Sequence, residues 1–117
     1  MITSDELRSI ALSLPEAAER ETWGEATFRV RDKIFVTLSE ATRHAGVKAS
    51  LDEQATLVAL DPQSFAVAHY TGRFGWVSVN LANVDPDDMM DLVIEAWRKT
   101  APKRLVAAYD AAEPASD

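Results

Sequence analysis

The apolar positions of this chain change period along its length, and each change predicts an element. At the start, Leu7, Ile10, Ala11 and Leu14 fall on one face of a helix. Thr3 stands ahead of them with Glu6 three residues on, the spacing of a capping box, and Pro15 ends the run. Residues 16–22 are polar and acidic and read as a connection or a poor edge strand. The period then drops to two. Residues 27–31 place Phe28 and Val30 on one face and Arg29 and Arg31 on the other, while residues 33–39 place Ile34, Val36 and Leu38 together. A three-residue turn at Arg31, Asp32 and Lys33 would pair Val30 with Ile34 and Phe28 with Val36, so that the apolar faces match. Arg29 would then stand beside Phe35 on the opposite face. A third strand is predicted over residues 45–49.

The second half repeats the alternation of elements. Ser50 and Glu53 form another capping box, for a short helix that stops before Asp61 and Pro62. Residues 65–70 and 76–80 read as two strands, with the glycine-punctuated segment 71–75 as their turn. Asp85 as N-cap and Pro86 at the first helical position open the last long helix. Asp87, Asp88 and Asp91 sit near its positive end, Arg98 and Lys99 near its negative end. Met89, Val93, Ala96 and Trp97 form its buried stripe. Pro102 breaks the pattern, and a short helix over residues 103–109 follows. Residues 111–117 are small and acidic and are expected to form a disordered tail.

The order α-β-β-β-α-β-β-α, with runs of strands rather than strict βαβ alternation, implies the α+β class. The expected architecture has two layers, a five-stranded antiparallel sheet with helices on one face. The other face is left open to solvent or a partner. Residues 1–110 are expected to form one domain.

Composition narrows the chemistry. The 117 residues contain no cysteine, which removes disulfides, thiolate metal sites and cysteine nucleophiles. The N-terminal segment carries Asp5 and Glu6 and is amphipathic, unlike a signal peptide, and no run approaches the length of a membrane span. A cytoplasmic protein with no membrane partner is the expectation. Net charge is −7, which repels polyanions at long range. The bases are nonetheless uneven. Residues 29–48 hold Arg29, Arg31, Lys33, Arg43 and Lys48 against two acids, and residues 97–104 hold four bases and no acid. A solvated face and a helix end account for such clusters by default.

Several pieces, in order, resemble the MmcQ/YjbR-like family. They are Leu14-Pro15, Trp23-Gly24 with Phe28-Arg29-Val30, Lys33-Ile34-Phe35 and Val47-Lys48-Ala49. The hairpin His69-Tyr70-Thr71-Gly72-Arg73-Phe74-Gly75-Trp76-Val77 carries the resemblance furthest, and the ending Ala96-Trp97 through Ala101-Pro102-Lys103-Arg104-Leu105 completes it. The resemblance spans residues 3–109. It implies a two-layer antiparallel fold like that of type III secretion chaperones, and a DNA-binding label that rests on likeness to a double-wing module. It brings no catalytic residues.

Read for chemistry, the chain offers little beyond binding. His44 and His69 fall short of the three or four converging ligands of a metal site, and no G-x-S-x-G occurs. No enzyme and no cofactor are expected. Gly72 and Gly75 match the bare GxxG pattern of nucleic-acid-gripping loops, but between two strands they read as a turn. Trp23 reads as an anchor crossing the core, its indole N–H bonded to a carbonyl. The candidate nucleic-acid-binding set is Arg29, Arg31, Lys33, Lys48, His69, Tyr70, Arg73 and Trp76, where bases and aromatics mix. The alternative is that Trp76 and Tyr70 fill the core and Arg73 sits at a solvated tip. Two functions follow: a nucleic-acid-binding module, or a protein-interaction adaptor using the open sheet face or an edge strand. A continuous positive stripe across Arg29, Lys33, Lys48 and Arg73 would favour the first, and scattered bases beside an exposed apolar patch the second. A monomer or weak dimer is expected.

Overall fold

The structure, a computed structural model, describes residues 1–112. Its elements are α1 (Ser4–Leu12), β1 (Ala17–Thr22), β2 (Glu25–Val30), β3 (Lys33–Ser39), β4 (His44–Val47) and α2 (Leu51–Leu60). They continue with β5 (Phe65–Val67), a 3-10 turn (Thr71–Phe74), β6 (Val77–Asn80), α3 (Pro86–Thr100) and α4 (Lys103–Ala112). All strands join one antiparallel sheet in the order β1-β2-β3-β4-β6-β5. The fold is α+β as expected, with six strands instead of five.

The sixth strand is β1, the polar segment that periodicity left undecided. It pairs along its whole length with β2, from Ala17 opposite Val30 to Thr22 opposite Glu25. It lacks an apolar alternation because it is an edge, with Ala18, Glu19, Arg20 and Glu21 exposed. Charges on an edge strand oppose pairing with another chain.

Both N-terminal hairpins close with two residues of positive φ, as tight primed turns demand. Trp23 (φ 55°) and Gly24 (φ 82°) join β1 to β2, and Arg31 (φ 50°) and Asp32 (φ 68°) join β2 to β3. The second turn is therefore one residue shorter than the sequence suggested. Phe28 does face Val36, but Val30 faces Lys33 and Arg29 faces Ile34. A β-bulge between these pairs restores the register. It leaves Phe35 as the extra residue, and Phe35 and Val36 are both fully buried. Arg29 thus lies opposite Ile34, while Phe35 joins the core.

The core gathers Leu7 and Ala11 of α1, Phe28 and Val30 of β2, and Phe35, Val36 and Leu38 of β3. Val47, Val77 and Val79 continue it across β4 and β6, and Met89, Val93, Ala96 and Trp97 of α3 close over it. Each of the valine, leucine, phenylalanine and methionine side chains contributes about 1.5–3 kcal/mol on burial. Capping boxes at Thr3/Glu6 and Ser50/Glu53, and Asp85 as N-cap of α3, form as the sequence predicts. The helix α4 continues through Ala112, beyond the expected end at residue 109. Residues 113–117, which belong to the expected tail, lie outside the described residues.

Candidate functional site

On the face opposite the core, antiparallel register sets side chains in rows across the strands. One row runs Thr27, Thr37, Gly46, Ser78 and Ala66. The next contains Ser39, His44 and Asn80. Thr37, Gly46 and Ser78 of the first row and Ser39 and His44 of the second line a shallow trough of about 320 Å³, with Glu25 at one side and His69 and Thr71 at the other. Gly46 forms part of its floor because nothing larger fits. A Cβ there would lie 2.6 Å from the Thr37 hydroxyl oxygen, which accepts the Gly46 N–H at 3.2 Å. His44 Nδ1 lies 2.8 Å from the Thr42 carbonyl oxygen, so it donates there, and Nε2 has no partner among the described residues.

The trough is overhung by the β5–β6 connection. The strand β5 stops at Val67, well short of residue 70, and β6 begins at Val77. Between them the Thr71 N–H donates to the His69 carbonyl at 2.7 Å across Tyr70, whose φ is 65° and ψ −55°. This is a γ-turn with positive φ, a rare and strained conformation for a residue with a side chain. The surroundings over-determine it. Ala68 N–H donates to Trp76 O, Gly72 N–H to Ala68 O, and Gln54 Nε2 to both Gly72 O and Trp76 O at 2.8 Å. Gly75 (φ 104°) is required as well, since a Cβ there would meet the Ala49 carbonyl at 2.4 Å. The glycine pair thus belongs to a turn between strands, as read from the sequence. Tyr70 is left 86% exposed, edge-on to His69, and Phe74 beside it is 65% exposed with the Arg73 guanidinium over its ring.

The eight sequence-chosen residues fall on β2, the turn after it, the start of β3, the residue after β4 and the β5–β6 connection. Lys48 and Trp76 come together, flanking the Val47–Val77 pair on neighbouring strands, with Trp76 against Gly46. His69 borders the trough, Tyr70 follows it at the centre of the γ-turn, and Arg73 sits on the 3-10 turn. Arg29 is directed at Thr27, Thr22 and Asp32. Arg31 is bound to Glu16, and the same hydrogen bond holds the Glu16 carboxyl below its ordinary value. Lys33 is exposed at the start of β3. Lys48, Arg73, Lys33 and Arg43 have no carboxylate partner among the described residues.

Trp23 departs from its expected role: it is 97% exposed at the tip of the first hairpin. The anchor bond belongs to Trp97, whose indole N–H donates to the Pro15 carbonyl at 3.0 Å. Sequence reasoning also passed over Gln54, a buried polar residue on a helix, because it stands among the polar residues Asp52, Glu53 and Thr56. Among the described residues no group of three or more histidine, aspartate or glutamate side chains could hold a metal. No described helix is long and apolar enough to cross a membrane.

Fold and site together define a class of small α+β protein, with an antiparallel sheet packed against helices on its apolar face and a polar trough on the other. Within that class the chain belongs to the YjbR family, whose sequence model matches residues 12–99. The matched span contains the first hairpin, the β5–β6 connection and Trp97. The crystal structure of Deinococcus radiodurans protein DR2400, a DUF419 domain, superposes with a TM-score of 0.76. The identity is 22%, over 83% of this chain and 77% of that one, a likeness that shows the fold. No curated protein matches the chain.

Proposed function

We propose that this protein is a non-enzymatic interaction module that binds a protein partner at the β5–β6 connection and the adjoining trough. The observation that carries the reading is Tyr70, a large aromatic held 86% exposed on a strained γ-turn. Strain of this kind persists where the surroundings enforce it and concentrates at binding sites. Val67 and Phe74, also exposed, flank it, and aromatics with a neighbouring arginine are the residues that dominate protein interfaces. The polar trough supplies hydroxyl and imidazole groups for the rim of such a contact. Two of the candidate arginines are tied to carboxylates, which weakens the alternative of a continuous phosphate-binding stripe.

A second reading keeps one specific support. Lys48 beside Trp76 combines a cation free of carboxylates with an aromatic ring, a pairing suited to single-stranded nucleic acid. That mode accords with the DNA-binding label attached to similar proteins.

The test is affinity capture with the wild type and a Tyr70→Ser, Phe74→Ser double variant, each with and without nuclease. Protein partners that survive nuclease and disappear in the variant support the proposal. Partners lost on nuclease treatment, or retained by the variant, overturn it. For the second reading, labelled duplex and single-stranded DNA are titrated at two salt concentrations with wild type and Lys48→Ala, Arg73→Ala. Affinity should fall with a log–log salt slope of about −0.9 per phosphate neutralised on duplex, lowered by about one for each contact removed. Equal binding by both proteins refutes it.

A further inference from the structure

The helical layer carries a second apolar stripe that the core does not use. Leu7 and Ala11 of α1 and Met89, Val93 and Ala96 of α3 are turned into the core. Ile10 on α1 and Ile94 on α3 remain half-buried, and Met90 is 44% exposed. These three line a groove between the helices. Its two parts measure about 380 and 500 Å³ and share Ser9, Ile10 and Met90. The first part joins residues at the N-terminal ends of both helices and the second joins their later turns, so α1 and α3 run in the same sense along it. Asp5, Glu6 and Asp87 rim the N-terminal part, and no basic side chain lines either part. Tyr109 of α4 stands at the far end.

We propose that this groove is a docking surface for a basic amphipathic helix of a partner protein, a site separate from the open sheet face. From Pro86 to Ile94 the floor extends eight residues of α3, about 12 Å at the helical rise, which accommodates two turns of a docked helix. Helix-in-groove recognition sets apolar anchors at i, i+3 or i+4 and i+7 into such a floor. Met90 at its centre is unbranched and adapts to differently shaped anchors. The acidic rim selects the sign of the partner. Asp5 is already paired with Arg8 and Glu6 with the Thr3 backbone, whereas the Asp87 side chain has no partner among the described residues. An anionic lipid surface is disfavoured, because the acidic rim repels it. A second copy of this chain on the groove would appear as a dimer in solution.

The probe is a fluorescein-labelled helical peptide of about 18 residues with leucine on one face and lysine on the other, titrated by anisotropy. Its control replaces every lysine with glutamate. The wild type should bind the basic peptide saturably and the acidic one not at all. Met90→Glu and Ile94→Glu should each weaken binding about tenfold or more. A purely electrostatic association would instead strengthen with the added carboxylate, so the direction of the change identifies the apolar floor. Asp87→Lys, at a solvated position, should weaken binding severalfold and reduce its salt dependence while circular dichroism shows an intact fold. Binding of both peptides alike, binding unchanged in Met90→Glu and Asp87→Lys, or no saturable binding would overturn the proposal. Sedimentation showing a dimer that Met90→Glu dissolves would also overturn it, by assigning the groove to a second copy. None of these variants touches Tyr70 or Phe74, so the outcome is independent of the open-face reading.

Discussion

Replacing Trp97 with alanine tests how the helical layer is fixed to the sheet. Trp97 is the largest of the fully buried side chains. Its ring packs 5.1 Å from the Tyr109 ring on α4, and its indole N–H reaches the Pro15 carbonyl, 82 residues away in the chain. One side chain therefore joins α3, α4 and the α1–β1 connection. Truncation of a large core aromatic costs about 3–5 kcal/mol, from lost transfer energy and the cavity left behind. That is a large part of the roughly 5–15 kcal/mol of a typical domain. Trp97→Phe separates the two contributions. It keeps an aromatic ring but removes the donor, and Pro15 is only half-buried, so water can reach its carbonyl; about 1–2 kcal/mol is expected. Urea unfolding followed by far-ultraviolet circular dichroism measures both variants, with the slope m checked for constancy. A loss below about 1 kcal/mol for Trp97→Ala would refute the packing argument. An equal loss in both variants would show that the hydrogen bond, and not the buried ring, carries the energy.

Gln54→Leu should cost about 1–3 kcal/mol in the same assay, because it removes two buried side-chain hydrogen bonds and leaves the Gly72 and Trp76 carbonyls only the Gly75 and Ala68 N–H groups; hydrogen exchange at residues 68–76 should accelerate with it. Trp23→Ala should change stability by less than about 0.5 kcal/mol, as fits a 97% exposed side chain, and a larger loss would mean that the ring packs on something. Burial disfavours the charged form of Glu53, but the Ser50 backbone hydrogen bond and Lys99 outweigh it, holding the carboxyl below its ordinary 4.5. A folded-state value below the unfolded one adds stability above that ordinary value, lost as pH falls through the folded value. Glu53→Gln should therefore be less stable than wild type at neutral pH, with the difference shrinking in acid; unfolding titrations at about pH 7 and about pH 3 check this.

The local determinants were legible in the sequence because they act over three or four residues. Thr3 with Glu6, Ser50 with Glu53, and Asp85 with Pro86 each satisfy backbone groups within a single turn, so the helix starts followed directly. The apolar alternation of β2 and β3 likewise fixed which face meets the core. What the sequence could not fix depends on groups distant in the chain. An edge strand such as β1 needs no apolar face, since its pairing is made by backbone bonds to β2, and so it left no period to read. The bulge at Phe35 arises from the conflict between a two-residue turn and the demand that both apolar faces stay buried. Which tryptophan makes the indole bond to a carbonyl was decided in the same way. Trp23 falls in a positive-φ turn that projects its ring into solvent, and the indole bond to a carbonyl is made by Trp97 across the whole fold. Among the candidate site residues, only strand register set Lys48 beside Trp76. Whether an arginine is free or neutralised depended on carboxylates such as Glu16, whose distance from Arg31 only the sheet determines.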